Sequence, residues 1–125
     1  MTAKVIHIIT LFPEYFDALQ STGVVGSFLR GEWGPGVALK LYNPSDYGPK
    51  GFKGVDSAPY GGGAGQVMRA DVLEETLLRG IFSGREAQDF HVVYLGPRGR
   101  VFDQQRAKKL ALEIEGLEKE LVFLC

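Results

Sequence analysis

Four glycines within five residues mark segment 59–66, which reads Pro-Tyr-Gly-Gly-Gly-Ala-Gly-Gln. Glycine is used where the backbone needs φ > 0 or where another molecule comes within contact distance of the main chain. Such a loop exposes backbone N–H donors, which suit a phosphate, a carboxylate or a base edge. It is neither a Walker loop nor a dinucleotide fingerprint, because no Gly-Lys-Ser/Thr follows and the G-x-G-x-x-G spacing fails at Gln66. The glycines alone fit a hairpin as well as a ligand loop.

A second glycine-containing loop, residues 96–99, follows the apolar run 91–95. The long loop that holds the first segment also follows an apolar run, Val37–Tyr42. In open α/β sheets, ligands bind beyond the carboxyl ends of the strands. Because both loops leave predicted strand ends with glycines, a ligand-binding role is favoured for both.

Few side chains near these loops could carry acid–base chemistry. Asp56 is the plausible carboxylate beside the glycine segment, and it also fits an Asx turn leading into Pro59. His7 and His91 lie in apolar runs, where core or strand-edge positions are expected rather than catalytic ones. The one cysteine, Cys125, provides neither a disulfide nor a metal-ligand spacing, so no metal site is predicted.

Five basic residues lie within twelve positions that contain one acid, Asp103, although the whole chain has a net charge of −1. They are Arg98, Arg100, Arg106, Lys108 and Lys109. A local patch of this kind can hold a phosphate backbone. The charge pattern alone favours a solvated helix face over that use.

Strands and helices are predicted to alternate along the chain. The predicted strands are residues 4–10, 37–42, 91–95 and 121–125. The first two predicted helices run from Pro13 towards Gly23 and from Val24 to Arg30. The third runs to Gly80 and begins at an Asp71 N-cap, with Glu74 completing a capping box. The fourth begins after an Asp103 N-cap. In the last helix the residues at i, i+3, i+4 and i+7 are expected to face the core, namely Ala107, Leu110, Ala111 and Ile114. This order predicts one α/β domain with a mostly parallel sheet and flanking helices.

The composition, 45% hydrophobic and 23% charged, is that of an ordinary soluble globular protein. No apolar run approaches the length that spans a bilayer. The N-terminal apolar run is too short for a secretory signal. A cytoplasmic protein without membrane attachment is therefore predicted.

Segments over essentially the whole chain resemble, in the same order, the bacterial tRNA guanine-N1 methyltransferases, knotted enzymes of the SPOUT class. They read IITLFPEYF at 8–16, GVVG at 23–26, YNPSDY at 42–47, VD at 55–56, PYGGGAG at 59–65, YLGPRG at 94–99 and LVFLC at 121–125. The resemblance implies a SPOUT-type trefoil-knot domain. It also implies methyl transfer from S-adenosylmethionine to N1 of the guanine 3′-adjacent to the anticodon of tRNA, by a homodimer.

The resemblance also assigns residues to two binding sites. The cofactor is expected to contact one loop, formed by Tyr94, Leu95, Gly96, Pro97, Arg98 and Gly99. A second set is expected near the target guanine and comprises Asp56, Tyr60, Gly61, Gly62, Gly63 and Gly65. Three family features differ here: Ser57-Ala58 stand where Asp-Arg is usual, Ala64 and Gln66 replace proline and methionine, and Gly96 and Arg98 replace serine and glutamine. The polar contacts at these positions are expected to differ accordingly.

Residues 1–125 are expected to be the N-terminal part of the cofactor-binding domain, truncated within the knot region. The apolar run 121–125 and the resemblance both indicate a fragment, with the C-terminal helical tRNA-binding domain absent. The general base, an aspartate in the family, is expected beyond Cys125. No catalytic residue is therefore assigned, and the chain alone is expected to be inactive.

Two other classes of protein account for part of the pattern. A non-catalytic nucleotide- or RNA-binding α/β module explains the two glycine loops and the basic residues without a base. A nicotinamide-dependent oxidoreductase is disfavoured, because the dinucleotide fingerprint and its acidic residue are missing.

Overall fold

The computed structural model describes residues 4–48, 56–57, 67–68 and 70–124. These residues form six strands: β1 (Lys4–Ile9), β2 (Val37–Tyr42), β3 (Asp56–Ser57), β4 (Val67–Met68), β5 (Phe90–Tyr94) and β6 (Glu120–Leu124). Four of them make a parallel sheet in the order β2-β1-β6-β5, and β3 and β4 form a short antiparallel pair. The predicted α/β class and its four main strands are confirmed.

Helices connect the strands of the parallel sheet. They are α1 (Asp17–Ser21) after a 3₁₀ turn at Pro13–Phe16, α2 (Gly23–Leu29), α3 (Ala70–Glu75) continued by a π-helical stretch at Thr76–Phe82, and α4 (Gln104–Leu117). A 3₁₀ turn at Ala87–Asp89 precedes β5. The break predicted near Gly23 is present: Gly23 has a φ of 73°, a left-handed conformation that glycine adopts without strain.

The strand register aligns the carboxyl ends of the four parallel strands. Tyr94 pairs with Leu124, Leu124 with Ile9, and Ile9 with Tyr42, so these residues form one row across the sheet. Beyond this row the backbone N–H of Leu95 still donates to the C=O of Leu124, at 3.0 Å. The loops that follow β1, β2 and β5 therefore leave the sheet at the same edge, where α/β proteins bind ligands.

A buried core lies where the π-helical stretch meets the sheet. Ile9, Ile81, Phe90 and Val122 form a buried cluster there. In contrast, none of the residues of α4, all of which the structure describes, is buried. Three of the four positions predicted to face the core, Ala107, Leu110 and Ile114, are half-buried, whereas Ala111 is exposed. The predicted apolar face of α4 is thus only partly covered.

The sequence predicts that Gly80 ends its helix, and this prediction is wrong. The helical turns run on to Phe82, and Ser83 follows in a left-handed conformation with φ of 46°. A Cβ atom at position 80 would lie 2.8 Å from the hydroxyl oxygen of Tyr47. Glycine is needed because the Tyr47 ring packs directly on the helix backbone. The helix also begins at Ala70, which places Asp71 in its first turn rather than at the cap.

The long loop predicted after β2 contains some regular structure. A 3₁₀ turn at Pro44–Tyr47 follows the strand, and the side chain of Asn43 accepts a hydrogen bond from the Ser45 N–H at 3.0 Å. Further along, Ser57 of β3 pairs with Val67 of β4. The two residues that flank the stretch 58–66 are therefore held in adjacent strands.

Candidate cofactor-binding loop and its surroundings

The predicted cofactor loop leaves the carboxyl end of β5 and closes on itself. The Gly99 N–H donates to the Gly96 C=O at 3.3 Å, and Pro97 occupies the second position of this turn, which its fixed φ favours. A cavity of about 400 Å³ is lined by Tyr94, Gly96, Pro97, Arg98 and Gly99. Five of the six predicted cofactor residues thus surround one open cavity. Leu95 does not line it, and its backbone is bonded to β6 instead.

The close approach of Tyr94 to Gly96 explains the glycine at position 96. A Cβ atom there would lie 2.6 Å from Cε1 of the Tyr94 ring. A serine or alanine at this position would therefore displace the ring. With glycine, the ring stays against the loop and remains 70% exposed. An exposed aromatic face beside a cavity can stack on another aromatic ring, such as a purine.

Arg98 supplies the positive charge of this cavity. It is exposed, and it forms no ion pair with any other described residue. A free guanidinium can bind a carboxylate through two parallel hydrogen bonds. By contrast, the Gly99 N–H donates to the Gly96 C=O within the loop, so this N–H is already engaged in this conformation, whereas the carbonyl oxygen can still accept a second hydrogen bond.

The residues predicted near the target guanine lie largely outside the described residues. Asp56 belongs to β3, where it pairs with Met68. Tyr60, Gly61, Gly62, Gly63 and Gly65 fall in the stretch 58–66 and are not described. Their role therefore stays a prediction.

A partly buried polar network surrounds His7, for which the sequence predicted only a core or strand-edge position. His7 is 3% exposed. Its Nδ1 lies 3.0 Å from the Tyr42 hydroxyl and its Nε2 lies 2.6 Å from Oε1 of Glu120. The other oxygen of Glu120 lies 2.5 Å from Nη1 of Arg85. His91, by comparison, is a half-buried residue of the edge strand β5, as predicted.

The charges of this network shift two pKa values. Burial alone would raise the pKa of Glu120, but hydrogen bonds from His7 and Arg85 and the charge of Arg85 outweigh burial and leave the pKa below its ordinary value. Burial raises the pKa of the Tyr42 hydroxyl, and the neighbouring Tyr47 and Glu120 raise it further. The ionised carboxylate of Glu120 and the protonated hydroxyl of Tyr42 each bond one ring nitrogen of the buried His7. The network therefore joins the three strands β1, β2 and β6.

Two negative findings concern the described residues. None of their helices is long and apolar enough to cross a membrane. Nor do these residues contain a group of three or more His, Cys, Asp or Glu side chains that could hold a metal ion.

A parallel sheet with flanking helices, and loops that leave it at one carboxyl edge, define this chain as an open α/β domain. The family model for tRNA (Guanine-1)-methyltransferase TrmD matches residues 4–125, and the chain belongs to this family. The match favours a methyltransferase over a non-catalytic binding module.

Curated relatives agree with the family match. The tRNA (guanine-N(1)-)-methyltransferase of Clostridium acetobutylicum is 40% identical over 120 residues, which are 96% of this chain and 44% of the relative. The protein of the same name from Clostridium botulinum is 36% identical, over 96% of this chain and 45% of its own length. The one from Clostridium novyi is 35% identical, over 98% of this chain and 46% of its own length. The chain therefore spans slightly less than half the length of these relatives.

Proposed function

We propose that this protein transfers a methyl group from S-adenosylmethionine to N1 of the guanine 3′-adjacent to the anticodon of tRNA. The observation that carries the proposal is the loop of residues 94–99. It lines an open cavity at the carboxyl edge of a parallel sheet, in a chain that belongs to a tRNA methyltransferase family. The names of the relatives support the same reaction.

The residues of the loop suit one side of S-adenosylmethionine. The exposed ring of Tyr94 offers a stacking surface for adenine, and the guanidinium of Arg98 offers a partner for the carboxylate of the methionine moiety. Gly96, Pro97 and Gly99 line the cavity with little or no side chain, which lets a ligand approach the backbone. When bound, S-adenosylmethionine supplies an electrophilic methyl group.

The other chemical requirement is removal of a proton from the guanine. N1 of guanine carries a proton, so transfer needs a base for that proton and a donor for the charge that develops on O6. We assign neither role to a residue of this chain. Asp56, Tyr60, Gly61, Gly62, Gly63 and Gly65 are proposed to bind and position the guanine.

The proposal extends to the architecture of the protein. Residues 1–125 are proposed to be the N-terminal part of a cofactor-binding domain with a SPOUT trefoil knot, acting as a homodimer in the cytoplasm. The family match and the greater length of the relatives support this part of the proposal.

Methyl transfer from labelled S-adenosylmethionine to a tRNA transcript tests the function. The 125-residue chain is expected to give no transfer, because no base is assigned within it. A chimera that continues this chain with the C-terminal part of the Clostridium acetobutylicum relative is expected to label the transcript. A matched transcript with adenine in place of the target guanine should stay unlabelled. A folded chimera that labels neither transcript, or both equally, contradicts the proposal.

A further inference from the structure

His7 is a buried titratable group for which the proposed function has no use. Its ring lies between two other aromatic rings, with the centroids of Tyr42 and Phe90 each 5.7 Å away. Both of its nitrogens are engaged: Nδ1 lies 3.0 Å from the Tyr42 hydroxyl and Nε2 lies 2.6 Å from Oε1 of Glu120. The ring is therefore held in one orientation, with each nitrogen facing a different chemical group.

The charged and titratable groups around His7 come from two strands and one connecting segment of the described chain. Glu120 begins β6 and Tyr42 ends β2, and both contact the ring. Lys40 is the register partner of His7 in β2 and is exposed. Arg85, which precedes β5, lies 2.5 Å from the other carboxylate oxygen of Glu120. The positive charge of Arg85 thus balances the carboxylate without a charge on His7.

Glu120 fixes the hydrogen on one nitrogen of the ring. The pKa of Glu120 lies below its ordinary value in spite of burial, because His7 and Arg85 bond its carboxylate. Glu120 is therefore ionised at neutral pH and in mild acid, and an ionised carboxylate only accepts hydrogen bonds. Nε2 of His7 must then be the donor in both charge states of the ring. Nδ1 is consequently the atom at which a proton is gained or lost.

The Tyr42 hydroxyl can meet Nδ1 in either of two ways. Burial raises the pKa of this hydroxyl, and Tyr47 and Glu120 raise it further, so it keeps its proton. A phenol can donate one hydrogen bond and also accept. When Nδ1 carries no proton, the Tyr42 O–H donates to it. When Nδ1 is protonated, it donates to the Tyr42 oxygen, and the O–H proton turns away from the ring.

We propose that His7 is a pH-sensitive switch, which reverses the direction of its hydrogen bond with Tyr42 when Nδ1 takes up a proton. Histidine side chains ordinarily change charge between about pH 5 and 8. The proton comes from solvent, and Nδ1–H is the only covalent bond that forms. The inference goes beyond the proposed function, because it holds whatever reaction the protein catalyses.

The reversal acts on the 3₁₀ turn Pro44–Tyr47, which follows β2. Tyr47 is close enough to Tyr42 to influence its hydroxyl electrostatically. Nη2 of Arg79 donates to the Tyr47 C=O at 3.4 Å, and the Arg79 guanidinium lies 5.6 Å from the centroid of the Tyr47 ring. The turn is therefore attached to the π-helical stretch as well as to β2. A reoriented Tyr42 O–H changes the electrostatic field at this attachment.

Nitrogen NMR of the histidine rings, recorded from about pH 8 to about pH 5, tests the switch. The chain contains two histidines, so His91→Gln leaves the His7 signals alone in the spectrum and should not change them. At the upper pH, Nε2 should give the signal of a protonated nitrogen and Nδ1 that of an unprotonated one. On acidification only Nδ1 should change, to a protonated signal. The Cζ signals of Tyr42 and Tyr47 should move with the same midpoint.

Tyr42→Phe separates the switch from a merely structural contact, because it keeps the aromatic ring and removes the hydroxyl. The His7 ring should still take up its proton in this variant, but the Tyr47 signal should no longer follow it. The same measurements on the chimera, where the His7 signals are those missing from His7→Gln, cover the case in which the shorter chain does not fold.

Three results would overturn the inference. The first is a neutral His7 ring with its proton on Nδ1. The second is a His7 ring whose charge does not change over this pH range. The third is a Tyr47 signal that follows His7 equally in Tyr42→Phe and in the parent, since the Tyr42 hydroxyl would then have no part in the coupling.

Discussion

Nε2 of His7 lies 2.6 Å from Oε1 of Glu120, although 113 residues separate them in the chain. His7 is in the central strand β1 and Glu120 begins the neighbouring β6, so the contact joins two strands that are distant in sequence. Tyr42 of β2 bonds the other ring nitrogen of His7, and Arg85 bonds the other oxygen of Glu120. In the described part of the chain, every buried side-chain nitrogen or oxygen has a hydrogen-bond partner.

We expect His7 and Glu120 to be energetically coupled. In a double-mutant cycle with His7→Ala and Glu120→Gln, the loss of unfolding free energy should be non-additive by about 0.5–3 kcal/mol, as for other residues in direct contact. His91 provides the control, because it lies on the adjacent edge strand and forms no hydrogen bond to Glu120. The cycle between His91→Ala and Glu120→Gln should be additive. Denaturant titration measures both cycles, and additivity in the first would show that the His7 contact contributes nothing.

The lowered pKa of Glu120 predicts how stability responds to acid. A carboxyl group whose pKa falls on folding stabilises the protein fully above its unfolded-state pKa, here near 4.5. This contribution is lost as the pH falls through the lower pKa of the folded state. The stability difference between the parent and Glu120→Gln should therefore be constant near neutral pH and shrink below about pH 4.5. A difference that grows on acidification would contradict the assignment.

The sequence predicted the elements whose signals are local. The apolar runs predicted all four parallel strands, and Asp103 was correctly predicted to cap α4. The His7–Glu120 pair could not be predicted, because its geometry depends on which strands become neighbours. The prediction that Gly80 ends its helix is wrong for the same reason. Glycine is locally typical of a helix end, whereas here it is needed because of contact with Tyr47, which lies 33 positions earlier. The glycines and the preceding strand predict a ligand loop at residues 96–99, whose cofactor role rests on the family resemblance and stays a proposal, but they do not predict the internal bond from Gly99 to Gly96.

The contact between Gly80 and Tyr47 predicts a substitution whose effect changes sign. Gly80→Ala should destabilise the protein by about 1–3 kcal/mol, because the new methyl group would lie 2.8 Å from the Tyr47 hydroxyl oxygen and force the ring away. In a Tyr47→Ala background the clash disappears. There Gly80→Ala should be neutral or stabilise by up to about 1 kcal/mol, the usual preference for alanine within a helix. Denaturant titration of the four variants decides this, and an equal cost in both backgrounds would show that Tyr47 is not the obstacle.

The Asp103 cap of α4 should contribute about 1 kcal/mol to the free energy of unfolding. Its Oδ1 accepts from the Arg106 N–H at 2.8 Å, and Asp103→Ala leaves this donor without its partner. Asp103→Ser keeps an oxygen acceptor and should retain most of the stability. Thermal unfolding of the three proteins checks the order. If Asp103→Ser is as unstable as Asp103→Ala, the carboxylate acts through its charge rather than through the cap.

The cofactor loop offers two glycines with different expected responses. A Cβ atom at Gly99 would lie 3.6 Å from the Gly96 carbonyl oxygen, an ordinary contact distance, and its φ is not positive, so Gly99→Val should fold normally. Its branched side chain would nevertheless occupy the cavity that Gly99 lines, and we expect it to abolish binding of S-adenosylmethionine.

Gly96→Ala should act differently, because it displaces the Tyr94 ring and removes a stacking surface without filling the cavity from the Gly99 side. It should weaken cofactor binding while leaving it measurable. Calorimetry on the chimera tests both, with circular dichroism to confirm folding and tRNA affinity as the control that neither variant should change. A folded Gly99→Val protein that binds the cofactor as tightly as its parent would reduce this loop to a structural turn.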